Sequence, residues 1–97
     1  MHSDMEETGH FSCSNLLLNQ LEHNIEWGLR GNFLDIPTDC PQRDERMGWT
    51  GDAQIFCRTA SFLRNTWPFF SKWLKDVAYD QTPEGGVPHM VPDLMPF

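Results

Sequence analysis

Apolar residues recur at helical spacing in three stretches of this chain, and the first stretch lies near the N-terminus. Four of them fall on one helical face, at Leu17, Leu18, Leu21 and Ile25. Ser12 or Ser14 is suited to cap the start of this helix, because a hydroxyl oxygen can accept a bond from a free backbone N–H. Gly28 and the pair Gly31–Asn32 indicate its end.

A second helix is predicted from about Thr50 or Asp52 to Leu63. Its apolar residues lie on two faces, with Phe56, Ala60 and Leu63 on one side and Ile55 and Phe62 on another. Apolar groups on more than one face are typical of a helix that is buried between neighbours.

The third helix has the clearest pattern in the chain. Thr66 is suited to cap it, and Pro68 is compatible with its first turn. The apolar positions that follow helical spacing are Phe70, Trp73, Leu74 and Val77. Packing in a core is the role we expect for Trp67, Phe69, Phe70 and Trp73.

Prolines and glycines separate these helices. Pro37 and Pro41 exclude a continuous helix over residues 32–51, so a long loop is expected there. From Thr82 onward, four prolines and Gly85–Gly86 exclude a helix and disfavour a central strand. The pattern therefore predicts an all-α fold of about three helices, with a long loop and a Pro-rich C-terminal segment.

The chain has 97 residues and a formal net charge of −7, from 14 acidic and 7 basic residues. This balance argues against a nucleic-acid partner and against anionic membranes, because both require clustered Lys and Arg. Three cysteines without paired spacing favour neither a disulfide scaffold nor a zinc site. The acidic N-terminus lacks an apolar core, so no signal peptide is predicted, which favours the cytoplasm.

Charged residues concentrate in the long loop. Acidic side chains lie at Asp35, Asp39, Asp44 and Glu45, with Arg43 and Arg46 among them. Long loops in compact domains are more often functional than accidental, so the chemistry is expected here. The carboxylates lack the register of a calcium-binding loop, and neither a metal nor a cofactor is predicted.

One string in this loop, PTDCPQRDERMGWTGDAQ at residues 37–54, resembles the signature of the bacterial α-L-rhamnosidases. The stretches 2–21, 27–33, 69–77 and 85–92 also resemble successive pieces of that family's catalytic domain. The resemblance implies an inverting glycosidase with an (α/α)6 barrel. It also implies that residues 1–97 are a fragment of one six-hairpin domain, because the family's water-activating carboxylate comes from a later segment.

The resemblance also implies roles for five residues. Glu45 matches the general acid, while Asp39, Arg43 and Asp52 match positions that bind the sugar, and Trp49 matches an aromatic wall. A general acid must be protonated at working pH, and like charges from nearby aspartates favour that state. The implied partners are rhamnose-containing oligosaccharides or glycosides, together with the remainder of the catalytic domain.

Each residue also has a plainer interpretation. Glu45 and Arg43 are suited to ion pairs on a solvated loop, Asp52 to a helix start, Asp39 to a turn and Trp49 to a core. Gly48 and Gly51 are interpreted as permitting backbone bends. For the chain as a whole, the alternatives are a rhamnoside-binding helical module without catalysis, or a non-functional truncated remnant.

Overall fold

The computed structural model describes residues 3–39 and 46–93. These residues form three helices, α1 (Leu16–Asn32), α2 (Thr50–Leu63) and α3 (Trp67–Tyr79). Between α1 and α2, two short strands, β1 (Phe33–Leu34) and β2 (Ile36–Pro37), pair antiparallel. The all-α class predicted from the sequence is confirmed, with this small hairpin as the addition. No helix within the described ranges is long and apolar enough to cross a membrane.

Neither Ser12 nor Ser14 caps helix α1, which begins one residue later than a cap at Ser14 predicts. Asn15 is its N-cap, and the Asn15 side-chain oxygen accepts bonds from the backbone N–H groups of Leu17 at 2.9 Å and Leu18 at 3.4 Å. Of the two predicted ends, Gly28 is wrong and Gly31–Asn32 is confirmed, because α1 continues through Gly28 and ends at Asn32. A glycine inside a helix costs only about 1 kcal/mol, so a packed helix tolerates it.

The hairpin lies in a region for which the sequence predicts only a loop. Asp35 forms its tip with φ 69°, a left-handed conformation that Asp adopts more readily than most residues. Phe33 and Pro37 are opposite each other and buried, whereas Leu34 is exposed and Ile36 half-buried on the other face. A single-residue tip between two-residue strands is too short for periodicity to reveal.

Helix α2 matches its predicted limits, and α3 begins directly after Thr66, as predicted. Helix α2 buries Ala53, Ala60 and Leu63, while Ile55 on its other apolar face is 85% exposed. Thr66 precedes α3, but its side chain makes no capping bond. The side-chain oxygen of Asn65 accepts the bond from Trp67 N instead, at 3.3 Å.

Two apolar clusters form the core. The first contains Leu29, Phe33, Ala60, Leu63 and Phe69, and the second contains Ala53, Trp73 and Val91. The Phe33 ring stacks on Phe69 at 4.8 Å between centroids. The packing role is confirmed for Phe69, Phe70 and Trp73. It is wrong for Trp67, which is 78% exposed, and Leu74 on the same helix is also exposed.

The N-terminal residues form an extended segment along the α2–α3 turn. The backbone N–H groups of Thr8 and Gly9 both donate to the carbonyl of Leu63, and Asn65 N donates to Glu6 O at 2.7 Å. Arg64, which is buried, pairs with Glu26 of α1 and donates to the carbonyl of Met5. These bonds tie the start of the chain to the end of α2.

Candidate functional site

The residues predicted to carry the chemistry divide into two groups. Glu45 and Arg43 lie outside the described residues, so their predicted roles remain predictions. Asp39, Trp49 and Asp52 lie within them, on either side of that gap, and the structure gives their surroundings.

Asp39 and Asp52 line the same cavity, although they are separated in the sequence by the motif. This cavity, of about 290 Å³, lies between α1 and α2 and is closed on one side by the hairpin. Its walls are mainly apolar, with side chains that include Ile25, Leu29, Phe33 and Phe56. A carboxylate accepts hydrogen bonds from hydroxyl groups, and an apolar wall suits the carbon face of a sugar.

Asp39 is held in place by the loop around it. One of its carboxylate oxygens accepts a hydrogen bond from Met47 N at 3.0 Å. This bond joins the two ends of the segment at residues 39–47, which we call the motif loop. The preceding residue, Thr38, donates from its backbone N–H and from its hydroxyl to the carbonyl of Asn32, at 3.0 and 2.6 Å. Asp39 therefore has two roles, because it holds the loop closed and also lines the cavity.

Asp52 lies in the first turn of α2 and is exposed. The N-cap of α2 is Trp49, whose side chain makes no capping bond, so Asp52 is not the capping residue. A negative charge in a first turn is nonetheless stabilised by the free N–H groups of the helix. The same position places Asp52 at the rim of the cavity that Asp39 lines.

Trp49 is half-buried, and its backbone is fixed on both sides. Its N–H donates to Met47 O at 3.0 Å, and it forms an isolated antiparallel bridge with Met90. Met90 belongs to the Pro-rich segment, for which the sequence predicts neither a helix nor a central strand. Met90 and Val91 are 1% and 0% exposed, so the end of the described chain is part of the core.

A second cavity, of about 500 Å³, lies on the other face of the hairpin. It is lined by four charged residues, Asp35, Arg46, Lys72 and Asp76. Lys72 Nζ lies 3.1 Å from a carboxylate oxygen of Asp35 and 3.3 Å from one of Asp76. Burial lowers the pKa of Lys72, but the bonds to both aspartates and their charges outweigh it and raise that pKa above 10.5.

Sequence reasoning missed Lys72 and the segment at residues 88–91 as parts of this region. Lys72 and Asp76 are four residues apart on α3, a spacing that indicates an ion pair but not its contact with Asp35. Nothing in the sequence links residues 88–91 to the motif. Within residues 3–39 and 46–93, no three His, Cys, Asp or Glu side chains are grouped to hold a metal ion.

Known proteins resemble this chain over nearly its whole length. The model of the bacterial alpha-L-rhamnosidase 6 hairpin glycosidase domain matches residues 6–96. An alpha-L-rhamnosidase of Formosa agariphila is 54% identical over 97% of this chain. That match covers 10% of the relative, so the chain spans about a tenth of its length.

Solved structures agree with this match. The native α-L-rhamnosidase from Aspergillus terreus superposes with a TM-score of 0.92 at 53% identity, over 97% of this chain and 11% of that chain. The Streptomyces avermitilis α-L-rhamnosidase in complex with L-rhamnose gives a TM-score of 0.93 at 42% identity, over 97% of this chain and 9% of that chain.

Proposed function

Because this chain belongs to the bacterial α-L-rhamnosidase six-hairpin glycosidase family, we propose that it supplies the acid-bearing part of an inverting α-L-rhamnosidase. In this proposal the substrate is a terminal α-L-rhamnosyl residue of an oligosaccharide or glycoside. The chain forms part of one six-hairpin domain, and the rest of that domain supplies the carboxylate that activates water.

The observation that carries the proposal is the shared cavity of Asp39 and Asp52. In the sequence these two residues flank Glu45 and Arg43. Both carboxylates lie at a mainly apolar cavity, and this combination suits a deoxy sugar that presents hydroxyl groups on one side and a methyl group on another. The relative solved with L-rhamnose supports the same class of ligand.

Each residue then has a chemical role. Glu45 donates its proton to the departing glycosidic oxygen, while a second carboxylate on the opposite face of the sugar removes a proton from water. Asp39, Asp52 and Arg43 bind sugar hydroxyl groups, and the indole of Trp49 lies against the apolar part of the ring. Inversion requires the two catalytic carboxyl groups to lie about 6.5–9.5 Å apart, so that a water molecule fits between them.

The test uses a hybrid enzyme in which this chain replaces the matched segment of the Formosa agariphila relative. We expect the hybrid to cleave an aryl α-L-rhamnoside and to release β-L-rhamnose first, which proton NMR detects. Glu45→Gln should lower kcat by about 10²–10⁴-fold with a poor leaving group, because general acid catalysis is worth about that much. A leaving group that needs no protonation should restore most of the lost rate.

The matched control is Glu84→Gln, the same chemical change at an exposed residue in the turn near Gly85. It should leave kcat unchanged. Wild-type turnover by the Glu45→Gln hybrid, or an equal loss with every leaving group, would remove Glu45 from the role of general acid.

A rhamnoside-binding role without cleavage is a second candidate. It is favoured by the position of both cavity carboxylates within this chain. Titration calorimetry of the 97-residue chain with L-rhamnose tests it. Millimolar or tighter binding that Asp39→Asn and Asp52→Asn both weaken would support this role.

A further inference from the structure

We propose that Thr50 is a positioning residue, which holds the C-terminal end of the motif loop against the segment at residues 88–91. This segment is called the brace below. The proposal rests on the proposed function, since it concerns the geometry of the same site. Thr50 lies at the first position of α2, five residues after Glu45 in the sequence.

Thr50 contacts the brace through both of its donors. Its backbone N–H donates to His89 O at 2.8 Å, and its hydroxyl lies 2.8 Å from Pro88 O and 3.0 Å from His89 O. The backbone N–H of Thr50 is one of the first N–H groups of α2, which have no partner inside the helix, so the carbonyl of His89 satisfies it. The contact spans 38 residues of sequence.

The brace is itself rigidly held. Val91 N donates to Gly48 O at 2.8 Å, and the indole N–H of Trp73 donates to Val91 O at 3.1 Å. Trp73 and Val91 are buried, at 4% and 0% exposed. A hydrogen bond between buried groups is costly to leave unmade, so this contact resists displacement.

The position of the brace determines where the motif loop ends. The brace pairs residue by residue with the three residues at 48–50. The residue before them, Met47, donates its backbone N–H to the carboxylate of Asp39, which lines the cavity. Only two residues separate Glu45 from the bonded stretch that begins at Gly48. A shift of about 1 Å in a reacting group can cost on the order of 100-fold in rate. We therefore assign to Thr50 the alignment of the loop, without contact with the substrate.

The kinetic test compares Thr50→Val and Thr50→Ser in the hybrid enzyme. Valine keeps the shape and removes the hydroxyl, so we expect kcat to fall about 10- to 100-fold, while KM stays within about twofold. Serine keeps the hydroxyl and should restore most of kcat, which a purely steric role would not allow. The control is Thr59→Val, the same change on the face of α2 that carries Phe62, away from the brace. Valine is compatible with solvent or with an apolar neighbour at this position, so kcat should stay unchanged.

A second measurement separates this proposal from the proposed function. In the 97-residue chain, amide hydrogen exchange at Val91 should become faster in Thr50→Val and not in Thr59→Val. An inactive hybrid, or an active Glu45→Gln variant, counts against the proposed function alone. If the hybrid is active, an unchanged kcat in Thr50→Val overturns the positioning role. If the hybrid is inactive, an unchanged rate of amide exchange at Val91 in the 97-residue Thr50→Val chain overturns it.

Discussion

Gly48 and Gly51 differ in their surroundings, although the sequence predicts the same role for both. A Cβ atom on Gly48 would lie 2.3 Å from the backbone oxygen of Val91 and 3.3 Å from the indole nitrogen of Trp73. A Cβ atom on Gly51 would meet nothing within 4 Å. Gly48 is therefore an architectural residue, but through its close approach to Val91 and Trp73 and not through the predicted backbone bend, since its φ is not left-handed. For Gly51, a residue of the first turn of α2, the interpretation is wrong.

Gly48→Ala should therefore destabilise the chain. The added methyl group would overlap the backbone oxygen of Val91, which cannot turn aside, and would crowd the buried indole of Trp73, so we expect a cost of about 1–3 kcal/mol. Urea denaturation followed by tryptophan fluorescence measures it. Gly51→Ala is the matched control and should be neutral or stabilising by up to about 1 kcal/mol, because alanine loses less entropy in a helix. Equal midpoints for the two variants would contradict the close approach of residues 48 and 91.

The candidate site could be predicted from the sequence only through the motif. Asp39 and Asp52 are 13 positions apart, and no helical or strand period places them together, yet both line one cavity. The brace could not be predicted, because its bonds to Gly48 and Thr50 join segments about 40 residues apart and every acceptor among them is a backbone carbonyl. Backbone carbonyls are the same in every residue, so the sequence carries no sign of such a contact.

Among the elements, helices α2 and α3 could be predicted because their apolar periodicity is strong and clear signals bound them. The start of α1 differed because Asn15, the residue after Ser14, offers a side-chain oxygen to two N–H groups. The hairpin was missed because two-residue strands have too few positions to display alternation. The hairpin is stabilised by Phe33, which packs in the core, and by Lys72 of α3, which donates to the carbonyl of Asp35 at the hairpin tip.

Lys72 joins the hairpin to α3, and this contact predicts a pH-dependent contribution to stability. Lys72→Met should lower stability near neutral pH by less than about 1 kcal/mol, because all three charged groups are substantially solvated. The raised pKa of Lys72 means that this contribution is fully present below the pKa of the unfolded chain and is lost as pH rises through the folded value.

The measurement is the difference in urea midpoint between wild type and Lys72→Met, at neutral pH and at a pH well above 10.5. The difference should shrink towards zero at the higher pH and also in high salt. Lys75→Met removes an exposed lysine of the same helix that forms no ion pair within the described ranges, and it should show little difference at either pH. A Lys72→Met effect that persists at high pH would mean that packing, not charge, joins the hairpin to α3.

At the scale of the whole molecule, several large apolar side chains of the described helices are exposed. Leu16 and Leu17 of α1 are each 81% exposed, and Ile55 and Phe62 of α2 are 85% and 56% exposed. Ile55 and Phe62 are seven residues apart and therefore lie on one face of α2, and an exposed apolar face of this kind is typical of a surface that another element covers. The chain spans about a tenth of its relatives, and its family is described by six hairpins, so further hairpins are the covering elements that we propose.

This assignment predicts opposite effects of one double substitution in two settings. In the 97-residue chain, Ile55→Gln with Phe62→Gln should weaken self-association, measured by analytical ultracentrifugation, because it removes exposed apolar surface. In the hybrid enzyme the same pair should lower the melting temperature, because burial of each large apolar side chain is worth about 1.5–3 kcal/mol.

Tyr79→Gln, at an 88% exposed position at the end of α3, is the comparison that separates a covered face from ordinary surface. A double variant that is no more destabilising to the hybrid than Tyr79→Gln would show that the second face of α2 stays in solvent. A wild-type 97-residue chain that stays monomeric in the ultracentrifuge would argue the same, because an uncovered apolar face favours self-association. If the double substitution weakens self-association of the 97-residue chain and also lowers the melting temperature of the hybrid, then Ile55 and Phe62 belong to the interior of a larger helical domain.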